Sequence, residues 1–400
     1  MTLDVASVRT RFPALDSGLA FFDGPGGTQT PRAVIDAMAD ALARPLSNRG
    51  VRTPGERNAA ALVTGARAAL GDLLAVPPES VVLGRSATQL TYDFSRLLAR
   101  TWAPGDEVVV TRLDHDANIR PWVQAAAAAG ATIRWADFDP DTAELGVDHI
   151  RAVLTDRTRL VAVTAASNLL GTRPDIPAIA RLVHEAGALL HVDGVHYTAH
   201  ASVDIDQFGA DLFTCSPYKF LGPHLGVLAG RPALLESLWP DKLLPATNDV
   251  PERFEYGTLP YELLAGTTAA VDFLAEIGPL STGTRRERLV ASFASLEEYE
   301  DGLREQIERG LADLKDVTVH SRAARRTPTL LMTFTGRSAD DAYGFLAERG
   351  VQAPAGSFYA LEPARRLGLG DAGGLRVGLA PYIDGDDVTR LLSGLADFLA

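Results

Sequence analysis

Lysine is scarce in this chain, and the setting of one lysine is therefore informative. Of 38 lysine and arginine residues, only Lys219, Lys242 and Lys315 are lysines. Lys219 lies in the segment DLFTCSPYKFLGPHLGVLAG, between Tyr218 and Phe220, where a solvated charge is poorly accommodated. Arginine stays protonated in proteins, whereas a lysine amine can lose its proton and act as a nucleophile or a base. We therefore interpret Lys219 as a chemically reactive residue.

Polar residues follow several predicted strands at points where ligands often bind. Asp193 ends the strand of HVDGVHYTAH, and Asn168 follows a strand in VTAASNLLGT. Open α/β sheets bind ligands at the carboxyl ends of their strands, but a turn or helix-cap role explains either residue equally well. His115 follows a strand in TRLDHDANIRPW, although a lone histidine is more often structural than catalytic. The segment VLGRSATQLTYDF leads into a helix start, where backbone N–H groups can bind an anion.

Together these residues match the requirements of one cofactor, pyridoxal 5′-phosphate. This cofactor needs an amine for its aldehyde, an anion against its pyridinium nitrogen, a donor for O3′, a phosphate site and a stacking ring. We therefore predict that the chain binds pyridoxal phosphate and that Lys219 is the amine that holds it.

Other ligand classes are less well supported. No GxGxxG segment follows the first strand, and the Gly-rich DGPGGTQTP at 23–31 lacks the lysine of a phosphate-binding P-loop. His196 and His200 have a spacing that metal ligands can have, but no third ligand lies at a suitable spacing. We therefore predict no metal site.

The middle of the chain alternates apolar runs with Ala/Leu-rich stretches, a pattern typical of βα units around a parallel sheet. The predicted strands are 80–84, 107–111, 132–136, 158–164, 188–193, 210–215 and 225–229. The predicted helices around them are 31–44, 57–75, 88–99, 117–129, 175–186 and 262–276. A long charged helix at 284–312 is followed by the segments VTVH, PTLLMTFTG and LRVGLAP and by helices at 338–348 and 385–399.

These elements indicate an α/β fold with two domains. We predict a large domain with a mostly parallel seven-stranded sheet at 15–260 and a connecting helix at 261–279. Residues 1–14 and 280–400 are expected to form a smaller α+β domain. A length of 400 residues exceeds what one hydrophobic core usually holds, which supports a division into domains.

Composition limits the possible partners and the cellular location. The net charge of −13 argues against a nucleic-acid partner, because phosphate binding needs a surplus of basic residues. No run approaches 18 apolar residues, and the initial MTLDVASVRTRF lacks the apolar core of a signal peptide. We therefore expect no membrane span and a cytoplasmic location. The one cysteine, Cys215, excludes an internal disulfide framework.

With these residues in place, the sequence resembles the class V aminotransferase family of fold-type I pyridoxal-phosphate enzymes. Within that family it is most similar to the cysteine desulfurase and selenocysteine lyase branch. The resemblance extends from FFDGPGGTQTPRAVIDAM to LRVGLAPYIDGDDVTRLL and thus covers nearly the whole chain. It implies the fold-type I transferase architecture, pyridoxal phosphate as cofactor and a small amino-acid substrate.

The resemblance assigns roles to the residues around the cofactor. Lys219 in SPYKFLGPHLGVL corresponds to the Schiff-base lysine, Asp193 to the partner of the ring nitrogen and His115 to the residue that stacks on the ring. These three are the implied catalytic residues. Asn168 corresponds to a residue that forms a hydrogen bond near O3′.

The resemblance also implies a phosphate site and a substrate site. The phosphate contacts within one subunit correspond to Ala87, Thr88, Ser216 and Tyr218. Thr258 in RFEYGTLP corresponds to a phosphate ligand from the neighbouring subunit, which implies a homodimer with shared active sites. Arg376 in LRVGLAPY corresponds to the arginine that holds the substrate α-carboxylate, a task suited to its bidentate geometry.

The sequence departs from the family in three places. His196 replaces the glutamine of the family's DGAQ segment and can still donate a hydrogen bond to O3′, so it is an implied cofactor contact. The NAAT segment becomes Gly24-Pro25-Gly26-Gly27, so substrate contacts at Gly26 are expected to differ. Tyr359 in PAGSFYALEP stands where the desulfurases carry their nucleophilic cysteine, and we expect it to contact the substrate together with Arg376. Cys215 lies on the strand before Lys219, where a buried core thiol is the expected role.

These features predict a pyridoxal-phosphate-dependent enzyme that acts on an amino acid. Freed Lys219 is the natural base for the Cα proton if burial lowers its pKa. Because the desulfurase branch is the most similar, we expect β-elimination of the C–S or C–Se lyase type, without a persulfide cysteine. Transamination and epimerisation are the alternatives, and a non-catalytic pyridoxal-phosphate-binding protein is a remote one.

Overall fold

A computed structural model describes residues 3–400 of the chain, and a seven-stranded sheet forms its centre. Gly226–Gly230 is antiparallel to both of its neighbours, whereas the other strands of this sheet run in one direction. The predicted mostly parallel sheet is therefore confirmed, and each predicted strand agrees with its observed bounds to within two residues. In sheet order the strands are Val81–Gly84, Gly226–Gly230, Leu212–Cys215, Leu189–Asp193, Thr158–Thr164, Glu107–Thr111 and Thr132–Ala136.

The central strands are buried on both faces, which explains their continuous apolar composition. Along Glu107–Thr111, Val108 and Val110 pack into one apolar cluster, whereas Val109 packs into the cluster on the opposite face of the sheet. This alternation follows from the two-residue period of a strand. Helices cover both faces of the sheet and thereby exclude water from it.

The helices follow the sequence pattern, and the first long helix shows an instructive difference at its start. The predicted helix 57–75 begins at Pro54, because Thr53 and Glu56 form a capping box there. Within residues 3–400 the α-helices are Val5–Arg9, Arg32–Ala43, Pro54–Leu74, Ala87–Leu98, Arg120–Ala129, Val147–Arg151, Ile176–Glu185, Ile205–Phe208, Pro232–Ser237, Tyr261–Glu276, Arg285–Ala312, Ala339–Ala347, Leu361–Arg366 and Gly385–Leu399.

The C-terminal part of the chain forms a second, antiparallel sheet. Its strands, in sheet order, are Ala355–Gly356, Gly374–Gly378, Thr329–Phe334 and Val317–Val319. A separate short pair joins Ala20–Phe21 in parallel to Val351–Gln352. The N-terminal helix also contacts this part of the molecule, because Arg9 forms ion pairs with Asp384 and Asp387 at 3.0 and 2.7 Å. The domain division at 15–260, 261–279 and 280–400 stays a prediction.

None of the helices within residues 3–400 is long and apolar enough to cross a membrane.

A buried ion pair fixes the segment that follows the large sheet. Arg67 is 7% exposed, and its Nη2 lies 2.6 Å from Glu255 Oε2. The other carboxylate oxygen of Glu255 accepts a hydrogen bond of 2.9 Å from the Leu83 N–H of an edge strand. The pair thus ties residues 249–260 to the first long helix and to the sheet.

We predict that Arg67→Met destabilises the protein by about 3–5 kcal/mol, because it leaves the carboxylate of Glu255 buried without its counter-charge. Denaturant unfolding would measure this loss. Arg11→Met is the control, since Arg11 lies 3.5 Å from Glu276 in an exposed pair and should cost no more than about 1 kcal/mol. Equal, small effects of the two substitutions would contradict the prediction.

Candidate active site

A cavity lies at the carboxyl ends of the parallel strands. The strands Glu107–Thr111, Thr158–Thr164 and Leu189–Asp193 end at this edge of the sheet, so the residues after them meet there. Nine of the ten predicted cofactor contacts line the cavity, and they are Ala87, Thr88, His115, Asn168, Asp193, His196, Ser216, Tyr218 and Lys219.

Lys219 reaches the cavity from a tight turn after a buried strand. The strand Leu212–Cys215 is followed by the 3₁₀ turn Pro217–Lys219, and the lysine side chain is only 9% exposed. Its Nζ donates a hydrogen bond to the carbonyl oxygen of Pro25. Burial, with the charge of Arg376, lowers the pKa of Lys219 to about 7. The amine can therefore be neutral near physiological pH.

Asp193 supplies an anion to the same cavity. It is the last residue of its strand, is 8% exposed and accepts a 2.9 Å hydrogen bond from the Val195 N–H. Burial raises the pKa of Asp193 to about 6, although that hydrogen bond and the charge of Lys219 oppose the shift. The carboxylate is therefore mainly ionised at neutral pH and can face a protonated ring nitrogen.

His115 presents an uncharged ring. Its Nδ1 accepts a 3.0 Å hydrogen bond from the Ala117 N–H, which leaves the proton of the neutral ring on Nε2. Burial and the charge of Lys219 lower the pKa of His115 to about 4. Because residues 116–118 form a 3₁₀ turn at this point, the predicted helix 117–129 begins only at Arg120.

A buried hydrogen-bond network holds the turn that carries His115. Asp114 accepts hydrogen bonds from the Thr111 hydroxyl and, at 2.7 Å, from Asn118 Nδ2. Asn118 Oδ1 in turn lies 2.9 Å from Nδ1 of His191, on the strand that ends in Asp193. Burial raises the pKa of Asp114 to about 8. The histidine turn and the strand of Asp193 are thereby fixed to each other.

Two residues that line the cavity each have an unpartnered polar atom, which bears on whether pyridoxal phosphate fits. Asn168 Oδ1 and His196 Nδ1 are buried and have no hydrogen-bond partner among residues 3–400. The opposite ends of both side chains are held, because Asn168 Nδ2 donates to the Phe358 carbonyl at 3.0 Å and His196 Nε2 lies 2.9 Å from the Thr327 hydroxyl. A polar ligand in the cavity would satisfy the two free atoms.

The helix Ala87–Leu98 provides the expected anion site. Ser86 precedes it, and its side chain caps the helix by accepting a 3.1 Å hydrogen bond from the Gln89 N–H. The first N–H groups of a helix have no partner within the helix, so those of Ala87 and Thr88 are suited to a phosphate. Pyridoxal phosphate therefore fits these residues. They supply the amine of Lys219, the carboxylate of Asp193, the ring of His115, the unpartnered atoms of Asn168 and His196, and the start of this helix.

The predicted substrate residues lie outside the lining of this cavity. Arg376 is 1% exposed and forms an ion pair with Asp23, a residue that the sequence reasoning did not single out. Tyr359 is 74% exposed, and its ring centroid lies 5.6 Å from that of His115. Gly26 is exposed in the loop that follows Asp23. The substrate roles of these residues stay predictions.

Thr258 is the predicted cofactor contact that the cavity of one subunit does not include. It is exposed and lines a different cavity, together with Arg85, Gln89, His224 and Tyr256. Thr258 therefore does not line the cofactor cavity of its own subunit. Its contact with the phosphate in a neighbouring subunit stays a prediction.

Sequence reasoning missed several side chains that line the cofactor cavity. These residues include Ser86, Thr91, Thr164 and Val195. The position of Ser86 before a helix was a usable signal, because serine is a preferred N-cap residue. Within residues 3–400, no three His, Cys, Asp or Glu side chains are arranged to hold a metal ion.

Comparisons with known proteins show the family of the chain. The family model "Aminotransferase class-V" matches residues 20–391. An aminotransferase-like protein of Gibberella zeae is 31% identical over 415 residues, which cover 98% of each chain. A cysteine desulfurase of Klebsiella pneumoniae is 29% identical over 420 residues, which cover 99% of this chain and 98% of that protein.

The fold comparison leads to the same family. The crystal structure of a cysteine desulfurase from Escherichia coli aligns with a TM-score of 0.88 and 26% identity, over 100% of this chain and 99% of that one. The predicted resemblance and the fold-type I architecture are confirmed. The chain belongs to the class V aminotransferase family and is a pyridoxal-phosphate-dependent enzyme.

Proposed function

We propose that the protein removes the Cα proton of an amino-acid substrate and expels its β-substituent, as a C–S or C–Se lyase that forms no persulfide on the protein. The observation that carries this proposal is the state of the chain's one cysteine. Cys215 is fully buried on the strand Leu212–Cys215, and the family resemblance puts Tyr359 at the loop position of the desulfurase nucleophile. The similarity to cysteine desulfurases over nearly the whole chain supports chemistry at a carbon–sulfur bond.

When bound, pyridoxal phosphate supplies an aldehyde for an amine and a ring that withdraws electrons from Cα. We infer that Lys219 Nζ first holds the cofactor and then takes the Cα proton. A base acts best when its pKa lies near the working pH, and the pKa of Lys219 is lowered to about 7.

The remaining lining residues are proposed to hold the cofactor and to set its charge. Asp193 would keep the ring nitrogen protonated, and the neutral ring of His115 would lie against the cofactor ring. Asn168 and His196 would bind near O3′ through their unpartnered atoms. The phosphate contacts would be Ala87, Thr88, Ser216 and Tyr218.

The proposed route keeps sulfur off the protein for a physical reason. A thiolate, not a thiol, attacks sulfur, and burial raises the pKa of Cys215 well above its ordinary value. The phenol of Tyr359 cannot form a persulfide. Elimination from cysteine would therefore release free sulfide.

An aminotransferase is the second candidate, and one observation favours it. The aminotransferase-like relative from Gibberella zeae is 31% identical over nearly the full length of both chains. Transamination would convert the substrate into a keto acid that keeps its β-substituent, whereas elimination from cysteine would yield pyruvate and sulfide. Product analysis distinguishes the two reactions.

The Cys215→Ser variant tests the proposed route. We expect it to retain most of the wild-type release of sulfide and pyruvate from L-cysteine. Any loss would come from the poorer packing of a serine hydroxyl at this buried position. Lys219→Ala should abolish the reaction. Sulfide assays, keto-acid assays and trapping of persulfides would measure these outcomes. Formation of alanine in step with a trapped Cys215 persulfide would refute the proposal.

The lowered pKa of Lys219 predicts a pH dependence of stability. Its ordinary pKa is 10.5 and its folded pKa is about 7, so between these values the unfolded chain binds a proton that the folded protein does not. The free energy of unfolding should therefore gain up to about 1.4 kcal/mol per pH unit from this residue as pH rises through that range. Urea unfolding of the cofactor-free protein at pH 7, 8 and 9 would show the effect as the difference in slope between the wild type and Lys219→Met, because the raised pKa of Asp114 acts on both proteins. Lys315→Met, which removes an exposed lysine, should keep the wild-type slope.

We also propose a homodimer in which Thr258 contacts the phosphate in the neighbouring subunit. Thr258 is exposed and does not line the cofactor cavity of its own chain. Sedimentation of the holoenzyme at micromolar concentration should show a dimer, and Thr258→Ala should lower the affinity for the cofactor. A monomer with full cofactor occupancy would contradict this assignment.

A further inference from the structure

Two threonine hydroxyls at the start of a second-sheet strand meet at one nitrogen of His196. Nε2 of His196 lies 2.9 Å from Thr327 Oγ1 and 3.0 Å from Thr329 Oγ1. All three side chains are buried, so bulk water does not compete for these hydrogen bonds. The contact joins the segment after the strand of Asp193 to the other sheet of the molecule.

Backbone hydrogen bonds fix the positions of both threonines. The Thr327 N–H donates a 2.8 Å hydrogen bond to the carbonyl oxygen of Gly171, three residues after Asn168. The Thr329 N–H donates one of 2.7 Å to the carbonyl oxygen of Thr327, and Thr329 pairs with Gly378 of the neighbouring strand. The two hydroxyls are therefore held in place relative to His196.

His196 is uncharged, because burial and nearby basic groups disfavour its protonation. Burial lowers its pKa well below the ordinary value, and His200, Lys219 and Arg376 lower it further. The ring of His200 lies edge-on to that of His196, with 4.8 Å between the centroids, and Nδ1 of His200 is 2.8 Å from the Glu300 carboxylate. The neutral ring of His196 carries one proton, on either Nδ1 or Nε2.

The threonine hydroxyls decide which nitrogen carries that proton. Nε2 of His196 is the one hydrogen-bond partner of the Thr329 hydroxyl within residues 3–400. A buried donor without an acceptor costs about 1–3 kcal/mol, so this hydroxyl donates to Nε2. The Thr327 hydroxyl is also closer to Nε2 than to its other acceptor, the Gly171 carbonyl at 3.4 Å. A ring nitrogen that accepts carries no proton, which places the proton of His196 on Nδ1.

Nδ1 of His196 is the polar atom that remains for a ligand. It has no hydrogen-bond partner in the described part of the chain, and His196 lines the cofactor cavity. Asn168, the other residue expected near O3′, donates from Nδ2 to the Phe358 carbonyl and leaves the acceptor Oδ1 unpartnered. Of these two free atoms, only Nδ1 of His196 can therefore donate a hydrogen bond to O3′.

We propose that Thr327 and Thr329 are positioning residues, which hold His196 with its proton on Nδ1 and so supply O3′ of pyridoxal phosphate with a hydrogen-bond donor. This inference rests on the proposed function, because that function places O3′ beside His196. A donor stabilises negative charge on O3′ and weakens its hold on the proton that it shares with the nitrogen joining Lys219 to the cofactor. The second sheet thereby lowers the pH at which the bound cofactor loses this proton.

The absorbance of the holoenzyme as a function of pH tests the proposal, because loss of that proton changes the colour of the cofactor. His196→Phe removes the donor and should raise the midpoint by about one pH unit, the size of one charge-assisted hydrogen bond. The double variant Thr327→Val, Thr329→Val should reproduce most of this rise. In the His196→Phe background the two threonine substitutions should cause no further shift, since their effect passes through His196.

Thr333→Val is the matched control. Thr333 lies on the strand Thr329–Phe334, and its hydroxyl is 2.9 Å from Nε2 of another histidine, His320, which does not line the cofactor cavity. Its midpoint should equal that of the wild type. His196→Gln offers an amide N–H in place of the ring N–H, so its midpoint should be lower than that of His196→Phe.

NMR of the cofactor-free protein tests the position of the proton without any threonine variant. With ¹⁵N-labelled histidine, the chemical shifts distinguish a protonated ring nitrogen from an unprotonated one. His196→Phe identifies the signals of His196 among those of the 8 histidines. We expect the proton of His196 on Nδ1 in the wild type.

Three results would overturn the proposal. The first is a ring proton on Nε2 of His196, and the second is a wild-type midpoint in the double threonine variant when His196→Phe shifts it. The third is an unchanged midpoint in His196→Phe, because His196 would then not bind O3′. None of these measurements involves turnover. A failure of β-elimination with every amino acid would instead refute the proposed lyase reaction and leave the absorbance and NMR results intact.

Discussion

The burial of one lysine amine is the constraint on which the active site depends. Water would keep Lys219 protonated, whereas its enclosed position lowers its pKa to about 7. The cavity region holds a second buried cation, Arg376, and the two charges repel each other. Asp23 and Asp193 are the anions that balance them. The pKa of Lys219 therefore depends on its burial, on the charge of Arg376, which lowers it, and on the two carboxylates, which raise it.

The parallel sheet provides the rigid frame for that balance. Asp193 ends one strand and Lys219 follows another, so their separation is set by backbone hydrogen bonds between the strands and not by flexible loops. The turn of His115 is fixed to the same frame through Asp114, Asn118 and His191. Rigid strands are well suited to this purpose, because catalysis requires groups that stay in place when the substrate arrives.

The second sheet completes the site from the opposite side. His196 lines the cofactor cavity, yet its Nε2 lies 3.0 Å from the hydroxyl of Thr329, which begins a strand of the second sheet. Arg376 belongs to the neighbouring strand of that sheet, and Phe358 covers it. The departures from the family at the Gly-rich loop and at the loop of Tyr359 thus meet at one place, around Arg376. Segments far apart in the sequence therefore surround one arginine.

Much of the frame was determined by the sequence itself. The strand Glu107–Thr111 was predicted to the residue, because a continuous apolar run between turn segments is a local property of the chain. Lys219, Asp193 and the helix start at Ala87 were also predictable, since their chemistry depends on residue type and on a position at a strand or helix end. The start of the helix at Pro54 was missed, although the capping box of Thr53 and Glu56 is a local signal too.

Only the tertiary structure decided which distant side chains meet. Asp23 and Arg376 are 353 residues apart, and no local sequence pattern predicts their ion pair. The exposure of Tyr359 and the network of Asp114 likewise depend on how separate segments pack. Local sequence fixes where a strand begins and ends because backbone propensity and burial act over a few residues. Contacts between segments arise from the packing of the whole chain, which is why the charge next to Arg376 became visible only in three dimensions.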